Sequence, residues 1–156
     1  MSRPRAAGRQ LTHSVPMEPI YTAEALSTGA GRDGHVSSPD GRVDLDMAVP
    51  VEMGGSGRGA NPERLFAAGY AACFHSALQG AARQAGVDVT GSTVGAQVDI
   101  GKREDGGFGL AVTLEVVLPG VPEEEARRLA DAAHAVCPYS AATRGNIDVT
   151  VTVADD

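Results

Sequence analysis

Cys73 and Cys137 are the only cysteines in this 156-residue chain and the residues best suited to covalent chemistry. A thiolate attacks electrophiles, closes disulfides and binds soft metals. Two cysteines do not make a disulfide scaffold in a chain of this size. No secretory signal is evident, so a reducing cytoplasm is the expected compartment, where such a pair is catalytic, redox-sensing or metal-binding. Cys73 lies mid-helix, away from any N-terminal dipole that would lower its pKa, so an inert core thiol is the plain alternative. Activation requires a cation, and Arg32, Arg58, Arg64 and Arg144 are the candidates. Cys137 falls at the C-terminal end of a second helix, where negative charge is disfavoured. If the two differ in role, Cys73 is the better nucleophile and Cys137 the better resolving partner.

Cys73-x-His75 and His134-x-x-Cys137 together offer two sulfurs and two nitrogens, a set that zinc accepts. Residues two apart on a helix, however, point roughly 200° apart, so Cys73 and His75 do not grip one ion on an intact helix. No bound metal or cofactor is expected, and the histidines read as partly exposed helix residues. Cys137-Pro-Tyr-Ser140 resembles a Cys-Pro-Tyr-Cys redox motif lacking its second cysteine. In thioredoxin-like folds that motif precedes its helix, whereas here it follows one, so that reading fails.

The elements that must present these thiols follow from local signals. Residues 61–86 read as one long helix, with Asn61 as N-cap, Pro62 at the first position, Glu63 at the positive end of the dipole and Gly86 as the stop. Leu65, Gly69, Cys73, Ser76, Ala77 and Gly80 share its long face, with side chains small enough for another backbone to come close. A helix this poor in charge is expected to be buried. Pro122 opens a second helix carrying Glu123, Glu124 and Glu125 in its first turn. Its apolar stripe is Ala126, Leu129, Ala130, Ala133 and Val136, and Pro138 ends it near Cys137.

Around these helices the alternation predicts strands at Ile20–Leu26, His35–Ser38, Val43–Val49, Val94–Ile100, Leu110–Leu118 and Ile147–Val153, with turns at 29–34, 39–42 and 104–107. Residues 54–60, rich in glycine, form a flexible loop without the Gly-Lys-Ser/Thr of a phosphate loop. The order β-β-β-α-β-β-α-β predicts an α+β domain over 17–156, an antiparallel sheet packed around the long helix and the second helix. Residues 1–16 hold three arginines and no acid, and read as a disordered extension, with Met17 an alternative start. Net charge is −7, which argues against nucleic acid, and no apolar run reaches membrane-spanning length. Lys102 is the sole lysine, leaving little room for Schiff-base chemistry.

Gly31-Arg-Asp-Gly34, Asn61-Pro-Glu-Arg-Leu-Phe-Ala-Ala-Gly-Tyr-Ala-Ala-Cys73-Phe74 and Val136-Cys-Pro-Tyr-Ser-Ala-Ala-Thr-Arg-Gly-Asn-Ile-Asp-Val149 resemble the organic hydroperoxide resistance (Ohr) branch of the OsmC/Ohr superfamily. The resemblance runs from about Ile20 to the end, and Arg64 departs from the Gln of the pattern. It implies an intertwined homodimer and a thiol peroxidase in which Cys73 is peroxidatic and Cys137 resolving. Arg32 is then the activating cation and Glu63 the carboxylate that holds it. It implies attack of Cys73 on an organic hydroperoxide, a sulfenic acid, a Cys73–Cys137 disulfide, and recycling by an external dithiol such as a lipoyl group on a carrier protein. Met53, Phe74 and Tyr139 are the candidates for an apolar pocket favouring alkyl or fatty-acyl peroxides.

Helix geometry adds a condition. On one straight helix Glu63 lies ~15 Å below Cys73 and is turned roughly 80° from it, which a carboxylate does not span. Either the first turns of the helix bend away, or Glu63 meets Cys73 across a dimer interface; the interface is the expectation, because the Gly69/Ala72/Gly80 surface can accept a second copy closely. A redox sensor that forms the same disulfide once, and a non-catalytic binding domain with inert thiols, are the competing readings.

Overall fold

The computed structural model describes residues 16–154. The expectation for residues 1–16 falls almost wholly outside that range. Three short strands, β1 (Leu26–Thr28), β2 (His35–Ser37) and β3 (Asp44–Asp46), form one antiparallel sheet in chain order. The long helix α1 (Pro62–Ala85) follows, then β4 (Thr93–Lys102) and β5 (Phe108–Val117), helices α2 (Glu123–Val136) and α3 (Pro138–Thr143), and β6 (Asp148–Ala154). Strands β4, β5 and β6 make the second sheet in that order.

Helix α1 starts and stops as its residues dictate. Asn61 Oδ1 accepts from the Arg64 N–H at 2.8 Å, and Gly86 closes the helix at φ +69°. Its buried stripe is Tyr70, Phe74, Leu78 and Ala82, every fourth residue. This corrects the expected face: Leu65, Cys73, Ala77 and Gly80 are only partly covered and Ser76 is exposed. The large residues win the core side because they bury the most apolar area, and the small ones are left outward. Against that stripe pack Val112, Leu114 and Val116 of β5 and Ala126, Leu129, Ala130 and Ala133 of α2, all in one cluster that includes Cys137. Val136 does not join them; it sits at the margin of the α2 stripe and is exposed.

The second sheet is antiparallel between β4 and β5 but parallel between β5 and β6, a correction to the all-antiparallel expectation. The link from β5 to β6 is a helical crossover through α2 and α3, which returns the chain in its starting direction. In the first sheet none of the strand residues is buried. The strand expected from Ile20 begins only at Leu26; residues 20–25 belong to no strand, and Ile20 and Tyr21 are exposed. The strand expected over Val43–Val49 ends at Asp46, because Met47 and Ala48 turn to bridge Ala60 instead. Among the described residues no helix is long and apolar enough to cross a membrane.

Candidate active site

Pro138 does two things to the backbone. It forces Cys137 out of the helical region, to φ −63° and ψ 124°, ending α2. It also occupies the first position of α3, where a missing N–H costs nothing. The sequence reading missed α3, since the proline that ends one helix was not read as beginning another. Cys137 is thereby held at the corner between two helices and is fully buried.

Cys73, at the middle of α1, faces that corner. The two sulfurs are 3.4 Å apart, and both thiols are free. Cys73 remains partly exposed while Cys137 is sealed. Burial pushes the Cys73 thiol above the ordinary thiol range, and the Tyr139 backbone N–H only partly opposes this. The neighbouring Cys137 sulfur adds to the rise, because two thiols this close do not both ionise. Among the described residues of the same chain no arginine contributes to the ionisation of Cys73.

Arg32 sits in a 3-10 turn at Gly31–Asp33, closed by Gly34. A Cβ at Gly34 would lie 2.1 Å from the Thr28 carbonyl oxygen, so only glycine fits there. The Arg32 guanidinium donates twice to Glu63 in the first turn of α1, Nη1 to Oε2 at 2.9 Å and Nη2 to Oε1 at 2.7 Å. These bonds hold the Glu63 carboxyl below its usual range, against burial that pushes the other way. Two of the other candidate cations turn elsewhere: Arg64 donates to the Gly59 carbonyl and Arg144 to the His134 carbonyl. The structure thus brings together two pairs, Cys73 with Cys137 and Arg32 with Glu63.

The three expected pocket residues do not share one opening. Phe74 is fully buried, with its ring 6.4 Å from that of His134, so it packs the core and lines no open cavity. Met53 lines a groove of about 720 Å³ with Glu63, Ala67 and Val98. Tyr139 lines an apolar cavity of about 530 Å³ with Pro62, Leu65, Phe66 and Ile147. The Tyr139 ring lies over Gly69, where a Cβ would come within 2.8 Å of its hydroxyl. The metal donor set is likewise dispersed: His75 pairs with Ser92 and His134 with Ser140. Among the described residues no group of three His, Cys, Asp or Glu side chains is placed to hold a metal ion.

The OsmC-like protein family matches residues 55–152. The organic hydroperoxide resistance protein of Xanthomonas axonopodis pv. citri (strain 306) is 48% identical over 141 residues, covering 89% of this chain and 98% of its own. Among solved structures, an organic hydroperoxide resistance protein from Elizabethkingia anophelis with bound thiocyanate superposes with a TM-score of 0.84 at 50% identity, over 90% of this chain and 100% of that one. OhrB of Bacillus subtilis superposes with a TM-score of 0.80 at 44% identity, over 87% and 100%.

Proposed function

The chain belongs to the OsmC-like family, and from that premise and its paired sulfurs we propose that it reduces organic hydroperoxides by thiol chemistry. The observation that carries the reading is the 3.4 Å approach of an accessible sulfur to a sealed one on another helix. The Cys73 thiolate attacks one peroxide oxygen; the O–O bond breaks, the alkoxide takes a proton and leaves as alcohol, and Cys73 becomes a sulfenic acid. The Cys137 sulfur then attacks the Cys73 sulfur, and hydroxide leaves with a proton as water. An external dithiol, of which a lipoyl group on a carrier protein is the kind expected, exchanges with the disulfide and restores both thiols. A reducing cytoplasm keeps the pair ready between cycles.

Arg32 is the activating cation in this reading and Glu63 its anchor. A guanidinium beside Cys73 offsets the burial that holds the thiol protonated, and it donates to the peroxide oxygen as charge develops there. Glu63 lies ten residues before Cys73, ~15 Å along the helix, so the Arg32–Glu63 pair of one subunit serves Cys73 of a second copy. The first sheet supports an intertwined homodimer, since a three-stranded sheet with no buried residue gains stability only by packing on something. The apolar cavity beside Tyr139 favours an alkyl or fatty-acyl peroxide over hydrogen peroxide.

A coupled assay tests the reading, comparing cumene hydroperoxide with hydrogen peroxide, each with dihydrolipoamide and with glutathione. Rapid turnover of the organic peroxide with the dithiol, abolished by Cys73→Ser, is expected. Stoichiometric oxidation without turnover in every combination would leave a redox sensor in its place.

A further inference from the structure

Next to the sulfur pair runs a buried hydrogen-bond chain. Tyr70, on α1, is fully buried, and its hydroxyl lies 2.9 Å from Ser140 Oγ and 3.0 Å from Thr143 Oγ1, both on α3. Ser140 Oγ is also 2.8 Å from His134 Nδ1 on α2. Each anchor stands in register with a thiol: Tyr70 three residues before Cys73, His134 three before Cys137, and Ser140 three after it.

Counting protons gives the chain one direction. Thr143 Oγ1 donates to the Ser140 carbonyl at 3.2 Å, so it must accept from Tyr70. The single Tyr70 proton is then spent, and its oxygen accepts from the Ser140 hydroxyl. Ser140 Oγ in turn accepts from His134 Nδ1–H, which assigns the tautomer of a neutral His134. Every hydroxyl both donates and accepts, and among the described residues no buried side-chain polar atom lacks a partner.

From this we infer that Tyr70, Ser140 and His134 form a strut that sets the position of Cys137 against Cys73 and so governs closure of the disulfide. Helix α3 has only six residues, too few to hold itself; the strut ties its interior to α1 and α2, while Arg144 at its end donates to the His134 carbonyl at 2.7 Å. Disulfide formation shortens the sulfur separation from 3.4 Å by roughly 1.3 Å. A small closure of this kind is sensitive to placement; a misplacement of about 1 Å costs on the order of a hundredfold in rate. Meanwhile Cys73 stays open to a second peroxide, which takes its sulfenic acid to sulfinic acid. These three are positioning residues: they act on the reacting sulfurs through the backbone that carries them.

The closure step rests on the peroxidase reading, so the test has two arms on the full chain. Wild type is compared with Tyr70→Phe, Ser140→Ala, His134→Leu and His134→Asn, whose amide replaces the Nδ1–H donor. In the first arm, tert-butyl hydroperoxide is added in excess over the thiols, and sulfenic, sulfinic and disulfide forms are followed by mass after acid quench. In the second, the Cys73–Cys137 disulfide-to-dithiol ratio is measured at equilibrium in a glutathione buffer, with no peroxide present. Tyr70→Phe, Ser140→Ala and His134→Leu are expected to slow disulfide closure at least fivefold more than sulfenic acid formation, with more sulfinic acid. They are also expected to lower the equilibrium ratio at least fivefold, with His134→Asn recovering most of the loss. Tyr70→Phe removes a single hydroxyl and keeps the ring, so it carries the test if Ser140→Ala does not fold. Variants within twofold of wild type in both arms, or His134→Asn as poor as His134→Leu, overturn the strut. A wild type that closes the disulfide in glutathione but not with peroxide overturns the peroxidase reading, and the second arm still decides on the strut.

Discussion

The Arg32 guanidinium grips the Glu63 carboxylate with two parallel hydrogen bonds, 2.9 and 2.7 Å, joining the first sheet to the start of α1. Lysine cannot make that fork, and glutamine loses the charge it needs. Arg32→Lys and Glu63→Gln should each lower turnover of cumene hydroperoxide at least tenfold, or about 1.4 kcal/mol in the barrier. Their stability cost should be near 1 kcal/mol, because Arg32 is more than a third exposed and solvent screens the pair. Glu63 titrates low in the folded chain, so the pair's contribution is present above the ordinary carboxylate range. It is lost as pH falls through the lowered value. Urea melts of wild type and Glu63→Gln from neutral to acid pH should therefore converge only at acid pH.

Accessibility separates the two thiols. Iodoacetamide should label Cys73 at least tenfold faster than Cys137, which has no exposed surface in the folded chain. Cys137→Ser should still consume a first equivalent of peroxide, accumulate over-oxidised Cys73 when further peroxide is supplied, and lose dithiol-driven turnover. Peptide mapping by mass spectrometry checks both outcomes. Arg32→Ala should move the pH midpoint of Cys73 labelling upward, since burial alone drives the thiol in that direction.

The cap on α1 reaches the site through Glu63. Asn61 is buried and its side chain accepts from the Arg64 N–H. Asn61→Ala should cost about 1 kcal/mol, read from the urea midpoint, and Asn61→Asp should recover most of it. Fraying of the first turn also loosens Glu63, so activity should fall further in Asn61→Ala than in Asn61→Asp. Equal activities in the two would separate the cap from the site.

Two histidines should titrate on opposite sides of the ordinary range. His35 lies between Asp46 at 2.8 Å and Asp44 at 2.5 Å, and those hydrogen bonds raise its pKa. His134 is lowered by burial and then by the charge of Arg144. The signs follow from linkage. His35 stabilises the fold below the ordinary histidine range, and that contribution is lost as pH rises through its raised value. His134 works the other way, weakening the fold as pH falls below the ordinary range. Imidazole proton resonances followed by NMR from pH 4 to 9 should show the two midpoints in that order, on either side of ~6.5.

Local signals made α1 legible to its caps, because Asn61, Pro62 and Gly86 act within one turn of themselves. The β4–β5 hairpin was legible for the same reason, its alternation being a property of neighbours. The face of α1 that enters the core was not. Small residues at helical spacing mark a close approach from either side, and only competition with Tyr70, Phe74 and Leu78 for apolar cover settles which. Phe74 was misplaced in a pocket on the same account. Proximity to Cys73 in the chain says nothing about direction around a helix, where one residue turns the side chain by about 100°.

The sequence alone determined the two thiols, the helices that carry them, and the pattern of residues by which the family is recognised. Caps, alternation and motif identity are all encoded within a few residues. Tertiary structure decided that the sulfurs stand 3.4 Å apart, that Arg32 meets Glu63, and that Tyr70 reaches Ser140 across seventy positions. Those are meetings of segments distant in the chain. They depend on how β5, α1 and α2 share one core, and no local spacing contains that arrangement.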